Sequence, residues 1–500
     1  MLSNDIIIYM KIEKILNYVE LFYKGNDKEI LHITQNSKDI KENTLFIAIK
    51  GTKFDGHSFV LDAIKNGVIG VVLEDRQLAD KLKKEFNDIN IFLSDNTKKA
   101  LSFIASEFFE NPSKDLKIIG ITGTNGKTTT SNLLATYYEL LGEKVGIIGT
   151  INHRVGNEIL SEGMTTPDHI KWQQLLKTMK DKGASVVVAE ISSHALDQDR
   201  VYATKFHGAI FTNLTQDHLD YHKDMENYFL AKRKLFEMLD NNRTASINTD
   251  DFYGKRIYQE FKDRLNIISY GKENADFKIG DIKQDLEGTE FEFIYNGEKS
   301  IVKTKLIGEF NVYNLSAVIS FLIKEGVDKD FLIKNAVKLN PVKGRFEIVK
   351  GKGFIAVIDY AHTPDGLENL LKTVRKLKNI NRVITIFGAG GDRDKTKRAP
   401  MGEIAERYSD IIILTSDNPR SENPLDIIED IKKGIKSKNI IIQPDREKAI
   451  KTGIEMAKEG DIVVIAGKGH ENYQIIGDNI IYFDDKEIAE KYIRSRDDNR

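Results

Sequence analysis

The sequence predicts an α/β fold in three domains, with parallel sheets in the second and third. Three observations predict it. Five hundred residues exceed one hydrophobic core, and about 150 residues per domain gives about three domains. Short, nearly continuous apolar runs end in Gly, Asp, Asn, Thr or His, and amphipathic stretches separate them. Such runs read as strands buried on both faces, and their alternation with helices reads as parallel α/β. Proline is scarce, 8 in the chain, so prolines beside turn-forming residues mark boundaries.

Taken in order, the first hundred or so residues have the shorter rhythm, with strand candidates at Phe46–Ile49, Val68–Leu73 and Ile89–Leu93. Asn111-Pro112-Ser113 is a turn-like break. The first long strand follows at Leu116–Thr122, then a helical pattern at Thr130–Leu141. Further buried strands are expected at Ser185–Ser192 and Ala209–Thr215. Asp276–Lys305 alternates apolar and polar residues around Asn296-Gly297, which predicts a small antiparallel hairpin. A second break lies at Leu339-Asn340-Pro341-Val342-Lys343-Gly344. Beyond it come strands at Phe354–His362, Arg382–Gly388, Asp410–Thr415, Asn439–Pro444 and Asp461–Gly467. The expected domains are 1–112, 113–342 and 343–500. In open α/β sheets ligands bind beyond the carboxyl ends of the strands, so the polar residues that close these runs are candidates for function.

Composition narrows the classes of function. The apolar share of 40% and charged share of 30% fit a globular chain. A net charge of -2 argues against coating nucleic acid or an anionic membrane. With no cysteine, disulfides, thiolate metal sites and cysteine nucleophiles are excluded. The N-terminal isoleucine run is only three residues long, between Asp5 and Lys11, too short for a secretory segment. No apolar run approaches the ~20 residues that cross a bilayer. A cytoplasmic protein without membrane insertion is expected.

The strongest local signal is Gly123-Thr124-Asn125-Gly126-Lys127-Thr128-Thr129, between a predicted strand and a predicted helix. In a phosphate loop, small residues turn backbone N–H groups toward phosphate oxygens and the helix N-terminus adds positive potential. Lys127 would reach the β and γ phosphates, and the Thr128 hydroxyl would ligate Mg²⁺. The strict pattern wants Gly where Ile121 stands, so a plain Gly-rich strand-to-helix turn is the competing reading. Glu190 closes its run as a carboxylate suited to Mg²⁺, although many strands end in Glu. His218, in Thr215-Gln216-Asp217-His218, could bind a metal or bond the loop backbone. Lys232, in Ala231-Lys232-Arg233-Lys234, reads by itself as part of a solvated helix face.

The third domain carries four strand-end clusters: Asp359-Tyr360-Ala361-His362; Gly388 to Asp394 with Arg398; Asp417-Asn418-Pro419-Arg420; and Gly467-Lys468-Gly469-His470-Glu471. Singly, each could be a turn with solvating charges. Together at one sheet edge they offer arginines for a carboxylate and acids for an ammonium, as an amino acid requires.

These motifs resemble those of the Mur ligases, which build the peptide of bacterial peptidoglycan. The resemblance covers nearly the whole chain. It is carried by Thr122–Thr128, Glu190-Ile191-Ser192-Ser193-His194, Asn213–His218, Gly308-Glu309-Phe310-Asn311-Val312-Tyr313-Asn314, Gly344-Arg345-Phe346-Glu347 and Asp359–His362. The missing early glycine is a trait of that family. The resemblance implies an N-terminal α/β uridine-nucleotide domain, a central P-loop ATPase domain and a C-terminal Rossmann-like domain. It is greatest to the members that add the third residue of the peptide. Asn36-Ser37-Lys38 departs from the usual Asp-Ser-Arg, so only Ser37 is carried over as a uridine-substrate contact. Thr165, Thr166, Ser192, Gln198 and Arg200 match positions that hold the muramoyl peptide. Asp417-Asn418-Pro419-Arg420 goes with meso-diaminopimelate, whose distal carboxylate Arg420 could bind bidentately. Arg398, Gly467 and Glu471 match other contacts to that amino acid. Asn311, Asn314, Arg345 and Asp359 match the ATP site. The resemblance reverses the reading of Lys232, which falls on a lysine carbamylated in the family to help seat Mg²⁺, with His218 as companion ligand.

The implied reaction is ATP-dependent. ATP phosphorylates the D-glutamyl γ-carboxylate of UDP-N-acetylmuramoyl-L-Ala-D-Glu, and the diaminopimelate amine displaces phosphate from the acyl phosphate. Domain closure would keep water out. ATP and Mg²⁺ are the expected cofactors and a monomer is the expected state. Competing readings are a lysine-adding Mur ligase, a folylpolyglutamate-synthetase-like ligase, a P-loop NTPase switch and a non-catalytic scaffold.

Overall fold

The computed structural model describes residues 9–51, 54–437 and 439–498. The N-terminal isoleucine run lies outside the described residues. The chain forms two compact units: Met1–Gly120 with Leu141–Gly208 and Glu237–Asp240, and Ile121–Leu140 with Ala209–Phe236 and Asn241–Arg500. Among the described residues no helix is long and apolar enough to cross a membrane.

In the first unit, a five-stranded sheet runs in the order Glu20–Tyr23, Asn90–Leu93, Gly70–Leu73, Thr44–Ile47, His32–Thr34. Only its first pair is antiparallel. The three early strand candidates are present, shortened or shifted by a residue or two. Asp75 and Asn96 cap the helices Arg76–Glu85 and Thr97–Phe108 through side-chain oxygens, which satisfies N–H groups without helical partners. A second group of strands pairs Val145–Ile148 in parallel with Val186–Glu190 and then turns antiparallel through His153–Val155 and Glu158–Ser161. Val186–Glu190 is buried at every position, which explains its unbroken apolar run.

In the second unit, the helix of the loop motif spans Lys127–Leu140, beginning three residues before the periodic pattern. Its small polar first turn belongs to the loop as much as to the helix. The stretch Asp276–Lys305 corrects the hairpin expectation. It forms three strands, Phe277–Asp285, Gly288–Tyr295 and Glu298–Thr304, paired antiparallel in sequence. Asn296 and Gly297 make the expected turn with φ of 51° and 78°. The added reversal is made by Asp285, whose Oδ1 accepts from the N–H groups of Glu287 and Gly288. That side-chain turn carries no Asn-Gly signature.

The last sheet runs Glu347–Gly351, Phe354–Asp359, Ile462–Ala466, Val383–Phe387, Ile411–Leu414, Ile440–Ile442. Its first pair is antiparallel and the other pairs are parallel. Apolar residues fill both faces, around Leu367, Leu371 and Met401 on one side and Ile450, Ile454 and Ile493 on the other. The strands ending at Asp359, Ala466, Phe387 and Leu414 are consecutive parallel neighbours, so the four polar clusters that follow them share one carboxyl edge.

Candidate active site

The loop is shaped by two glycines. Gly123 has φ of 153°, and a Cβ there would lie 1.9 Å from Thr212 Oγ1. Gly126 has φ of 87°, and a Cβ there would lie 2.3 Å from Asn314 Oδ1. Both positions exclude side chains through conformation and space together. The loop is braced by neighbours. Thr124 N donates to Asn213 O (2.8 Å), Asn125 N donates to Asn213 Oδ1 (2.9 Å), and Thr212 Oγ1 donates to Asn125 O (2.6 Å). Asn125 Nδ2 donates to Asp365 Oδ2 at 2.7 Å. Thr124 Oγ1 and Tyr228 OH share a hydrogen bond of 3.1 Å.

Three basic side chains gather at the loop. Lys127 Nζ donates to the carbonyls of Gly123 and Thr124, each at 2.8 Å. Lys232 Nζ donates to Gly123 O at 2.7 Å. Arg345 Nη2 donates to Thr128 Oγ1 at 3.2 Å and its guanidinium lies 4.4 Å from the centroid of the Tyr360 ring. Lys232 is 1% exposed, which corrects the solvated-face reading of its local sequence. The helix Met225–Glu237 turns Tyr228, Lys232 and Leu235 inward on one face. Burial first, and the Lys127 charge second, hold the Lys232 amine well below the ordinary lysine range, against the pull of Asp217.

Asp217 is itself buried. Burial raises its carboxyl, but His218, Lys397 and His362 outweigh that and bring it down to about 2. His218 sits at φ of 55°; its backbone N–H donates to Asp217 Oδ1 at 2.9 Å, and its Nε2 lies 3.4 Å from Asp217 Oδ2. Lys397 Nζ lies 3.8 Å from the same carboxylate.

Asn311 and Asn314 lie on one face of the helix Glu309–Lys324, linked by a 3.2 Å bond from Asn314 Nδ2 to Asn311 Oδ1. Asp359 accepts from Phe346 N (2.7 Å) and Ala361 N (2.8 Å); burial keeps its carboxyl above the usual range despite Arg345. A cleft of about 720 Å³ is lined by Asn125, Gly126, Thr128, Thr129, Asn314, Arg345 and Asp359, among others. Seven of the residues expected at the nucleotide therefore line one cavity, whereas Gly123, Thr124, Lys127 and Asn311 are not among its lining residues. Among the described residues, no three His, Cys, Asp or Glu side chains form a ready-made metal cage.

The remaining expected residues form separate groups. In the first unit, Glu190 is 1% exposed and accepts from Thr150 N (3.0 Å) and Thr150 Oγ1 (2.8 Å). Thr150 also shares a 2.9 Å bond with Thr165. Thr166 Oγ1 donates to Glu190 O (2.7 Å) and accepts from Ser192 N (3.0 Å). Arg200 donates to Thr166 O (3.0 Å) and clasps Gln198 Oε1. Thr165, Thr166, Glu190, Ser192, Gln198 and Arg200 are therefore one bonded cluster. Ser37 lies apart, in the turn after His32–Thr34, where its carbonyl accepts from Asn66 Nδ2 at 3.3 Å.

At the carboxyl edge of the last sheet, Arg420 Nη1 donates to Gly391 O at 2.7 Å. A Cβ on Gly391 would come within 1.9 Å of Pro419 O, and one on Gly467 within 2.7 Å of Asp417 Oδ2. Asn418 Nδ2 donates to Glu471 Oε2 at 2.9 Å. Arg398 is differently employed. Its guanidinium, 1% exposed, binds Glu422 (2.8 and 3.0 Å) and Asp430 (3.0 Å). Its direct bonds therefore tie together the loop after Asp417–Arg420, through Glu422, and the helix Pro424–Lys432, through Asp430. Sequence reasoning passed over Thr150, Thr212, Asp365, Tyr228 and Lys397. Asn213 was visible only as part of a matching motif. None has a local signature, because each acts through residues far away in the chain.

A strand–loop–helix phosphate cradle on an α/β scaffold defines a P-loop-type nucleotide enzyme class. Three family models match in chain order: "Mur ligase family, catalytic domain" at 29–109, "Mur ligase middle domain" at 121–322, and "Mur ligase, glutamate ligase domain" at 344–469. A UDP-N-acetylmuramoyl-L-alanyl-D-glutamate--2,6-diaminopimelate ligase of Aquifex aeolicus is 50% identical over 467 residues, covering 93% of this chain and 94% of its own. A solved structure bearing the same ligase name superposes with a TM-score of 0.69 at 31% identity, covering 98% and 99% of the two chains. The MurF ligase of Thermotoga maritima, solved with ADP, shares the fold at a TM-score of 0.62 and 22% identity, over 93% and 98% of the chains. The chain belongs to the Mur ligase family.

Proposed function

We propose that this chain is an ATP-dependent amide ligase that joins meso-2,6-diaminopimelate to the D-glutamyl γ-carboxylate of UDP-N-acetylmuramoyl-L-alanyl-D-glutamate, in the cytoplasm, during peptidoglycan precursor synthesis. The observation that carries it is the braced loop, whose Asn125, Gly126, Thr128 and Thr129 line the cleft, in a chain covered over 93% and 98% of its length by ligases of that name. The three functional domains are taken as 1–112, 113–342 and 343–500.

A carboxylate and an amine do not condense in water, because the oxygen to be expelled is a poor leaving group. ATP supplies the remedy. Its γ-phosphoryl passes to the γ-carboxylate, ADP departs, and the resulting acyl phosphate has phosphate as its leaving group. The diaminopimelate amine then attacks the acyl carbon. The tetrahedral adduct loses phosphate and a proton, and the amide remains. Lys127 and the loop N–H groups offset the charge of the transferring phosphoryl. Asn311, Asn314, Arg345 and Asp359 order the nucleotide. Thr165, Thr166, Ser192, Gln198, Arg200 and Ser37 hold the uridine-linked peptide. Asp417–Arg420, Gly467 and Glu471 hold the amino acid, and Arg398, expected there too, acts through Glu422 and Asp430.

Hydroxyl and carboxylate oxygens suit Mg²⁺, a hard ion usually held by one or two protein groups and substrate phosphates, so only some of the groups that the family resemblance assigns to it need bind directly. Thr128, Glu190 and His218 would serve, together with Lys232 once carbamylated. The depressed Lys232 amine suits that modification, since a neutral amine adds to carbon dioxide, losing a proton to leave an anion. Bound Mg²⁺ would neutralise phosphate charge.

Purified protein should release ADP only when the uridine-linked dipeptide and diaminopimelate are both present, with a product heavier by one diaminopimelate less water in the mass spectrum. Equal ADP release without either substrate would refute the reading. A preference for lysine in an amino-acid panel would move the chain to the lysine-adding members.

A further inference from the structure

Lys468 follows the strand Ile462–Ala466, and the proposed reaction leaves it without a role. Its side chain has no exposed surface. Its Nζ lies 3.1 Å from Asn418 Oδ1, 3.1 Å from Glu471 Oε2 and 3.9 Å from Asp417 Oδ1. Asn418 Nδ2 also donates to Glu471 Oε2, at 2.9 Å. Two donors therefore converge on one oxygen of Glu471 and fix the plane of its carboxyl group. The other oxygen, Oε1, lies 3.4 Å from the Tyr360 hydroxyl, too long for a strong bond. Asn418 is locked in turn, because its Oδ1 also accepts from Ile475 N at 3.0 Å.

From this geometry we infer that Lys468 is a positioning residue for the incoming amino acid, holding the Glu471 carboxylate and the Asn418 amide in the orientation that receives an ammonium group. The inference rests on the proposed diaminopimelate reading. Electrostatics supports it. Burial first, and the Asp417 charge second, push the Glu471 carboxyl above its usual range, and Lys468 pulls it back. Tyr360, Tyr473 and the buried Arg446 also face this carboxyl. Two buried carboxylates side by side need a cation, and a protonated Glu471 would lose the charge that attracts an ammonium.

The test is steady-state ADP release by Lys468→Met, with diaminopimelate and ATP varied separately. KM for diaminopimelate should rise about 10- to 100-fold, the usual worth of a hydrogen bond to a charged group. KM for ATP should stay within about twofold, because no contact to the loop is lost. The acid limb of kcat/KM for diaminopimelate should move to higher pH, since Glu471 loses its nearest cation. Lys468→Gln keeps two donors without the charge; it should recover part of the KM loss but not the pH shift. If Lys468→Met does not fold, Lys468→Gln decides on the pH shift alone. A parallel rise in both KM values, an unmoved acid limb, or loss of fold in both variants would overturn the inference in favour of a purely structural lysine. Absence of diaminopimelate-dependent turnover in the unsubstituted enzyme would instead refute the functional reading.

Discussion

At the scale of the residue, the loop glycines give the sharpest prediction. Gly126 and Gly142 share nearly the same backbone, with φ of 87° and 90°. A Cβ added to Gly142 would meet nothing within 4 Å, whereas one added to Gly126 would meet Asn314. Gly142→Ala should therefore cost only conformational strain, about 1 kcal/mol of stability, and leave nucleotide binding intact. Gly126→Ala should add a steric conflict at the cleft and weaken ADP binding by about 3 kcal/mol, roughly 100-fold, by calorimetry. Equal ADP affinity in both variants would show that the loop does not hold phosphate in this form. Not every residue was legible in this way. Gly-Lys-Thr-Thr after an apolar run announces itself because local geometry demands it. Lys232 does not, since three of four consecutive residues at 231–234 are basic and its burial is created by the loop and by Tyr228. Arg398 shows the same limit, because its partners Glu422 and Asp430 lie 24 and 32 residues away.

At the scale of the element, two helices of the last sheet are joined by contrasting ion pairs. Arg446, at the start of Arg446–Met456, binds Asp485, at the start of Asp485–Asp498, with both side chains fully buried. The same arginine donates to the carbonyls of Ser416 (3.2 Å) and Ala466 (3.0 Å), beside the carboxyl edge that carries Asp417 and Gly467. Glu447 and Lys491 link the same helices at the surface, at 2.8 Å. Asp485→Ala should destabilise by about 3–5 kcal/mol, because it strands a buried guanidinium. Glu447→Ala should cost under about 1 kcal/mol. Thermal melting of the two variants checks this, and similar losses would refute the role given to the buried pair. The strands themselves were legible, because burial on both faces leaves an apolar run with polar ends, as at Val186–Glu190 and Ile462–Ala466. The meander was half legible. Asn296-Gly297 marks a turn by backbone chemistry, whereas Asp285 makes its turn with a side chain that elsewhere would be read as solvated.

At the scale of the whole molecule, domain order could be read from motifs, but the histidines could not, since their meaning depends on burial. His169 begins the helix His169–Asp181 and is 3% exposed. Its Nε2 lies 3.0 Å from Gln198 O, so the neutral ring donates there, and its Nδ1 is buried without a hydrogen-bond partner. Burial first, and then Arg200, bring it down to about 3. His153, in the same unit, is brought down to about 4 by burial and Lys171. A folded-state value below the unfolded one means that the unfolded chain binds the proton more readily. The stabilisation is therefore complete above about 6.5 and is lost as pH falls toward 4 and then 3. For His169 alone the loss is on the order of 4 kcal/mol, a large part of the usual margin of a domain. Buried carboxyls held above their usual range, such as Asp251 and Asp365, act in the opposite sense and offset part of it at the acid end. The melting temperature should accordingly fall as pH drops from about 6.5 to about 4, with the decline shallower in His169→Phe than in the unsubstituted chain. Parallel pH profiles for the two proteins would show that His169 is not carried neutral into the fold.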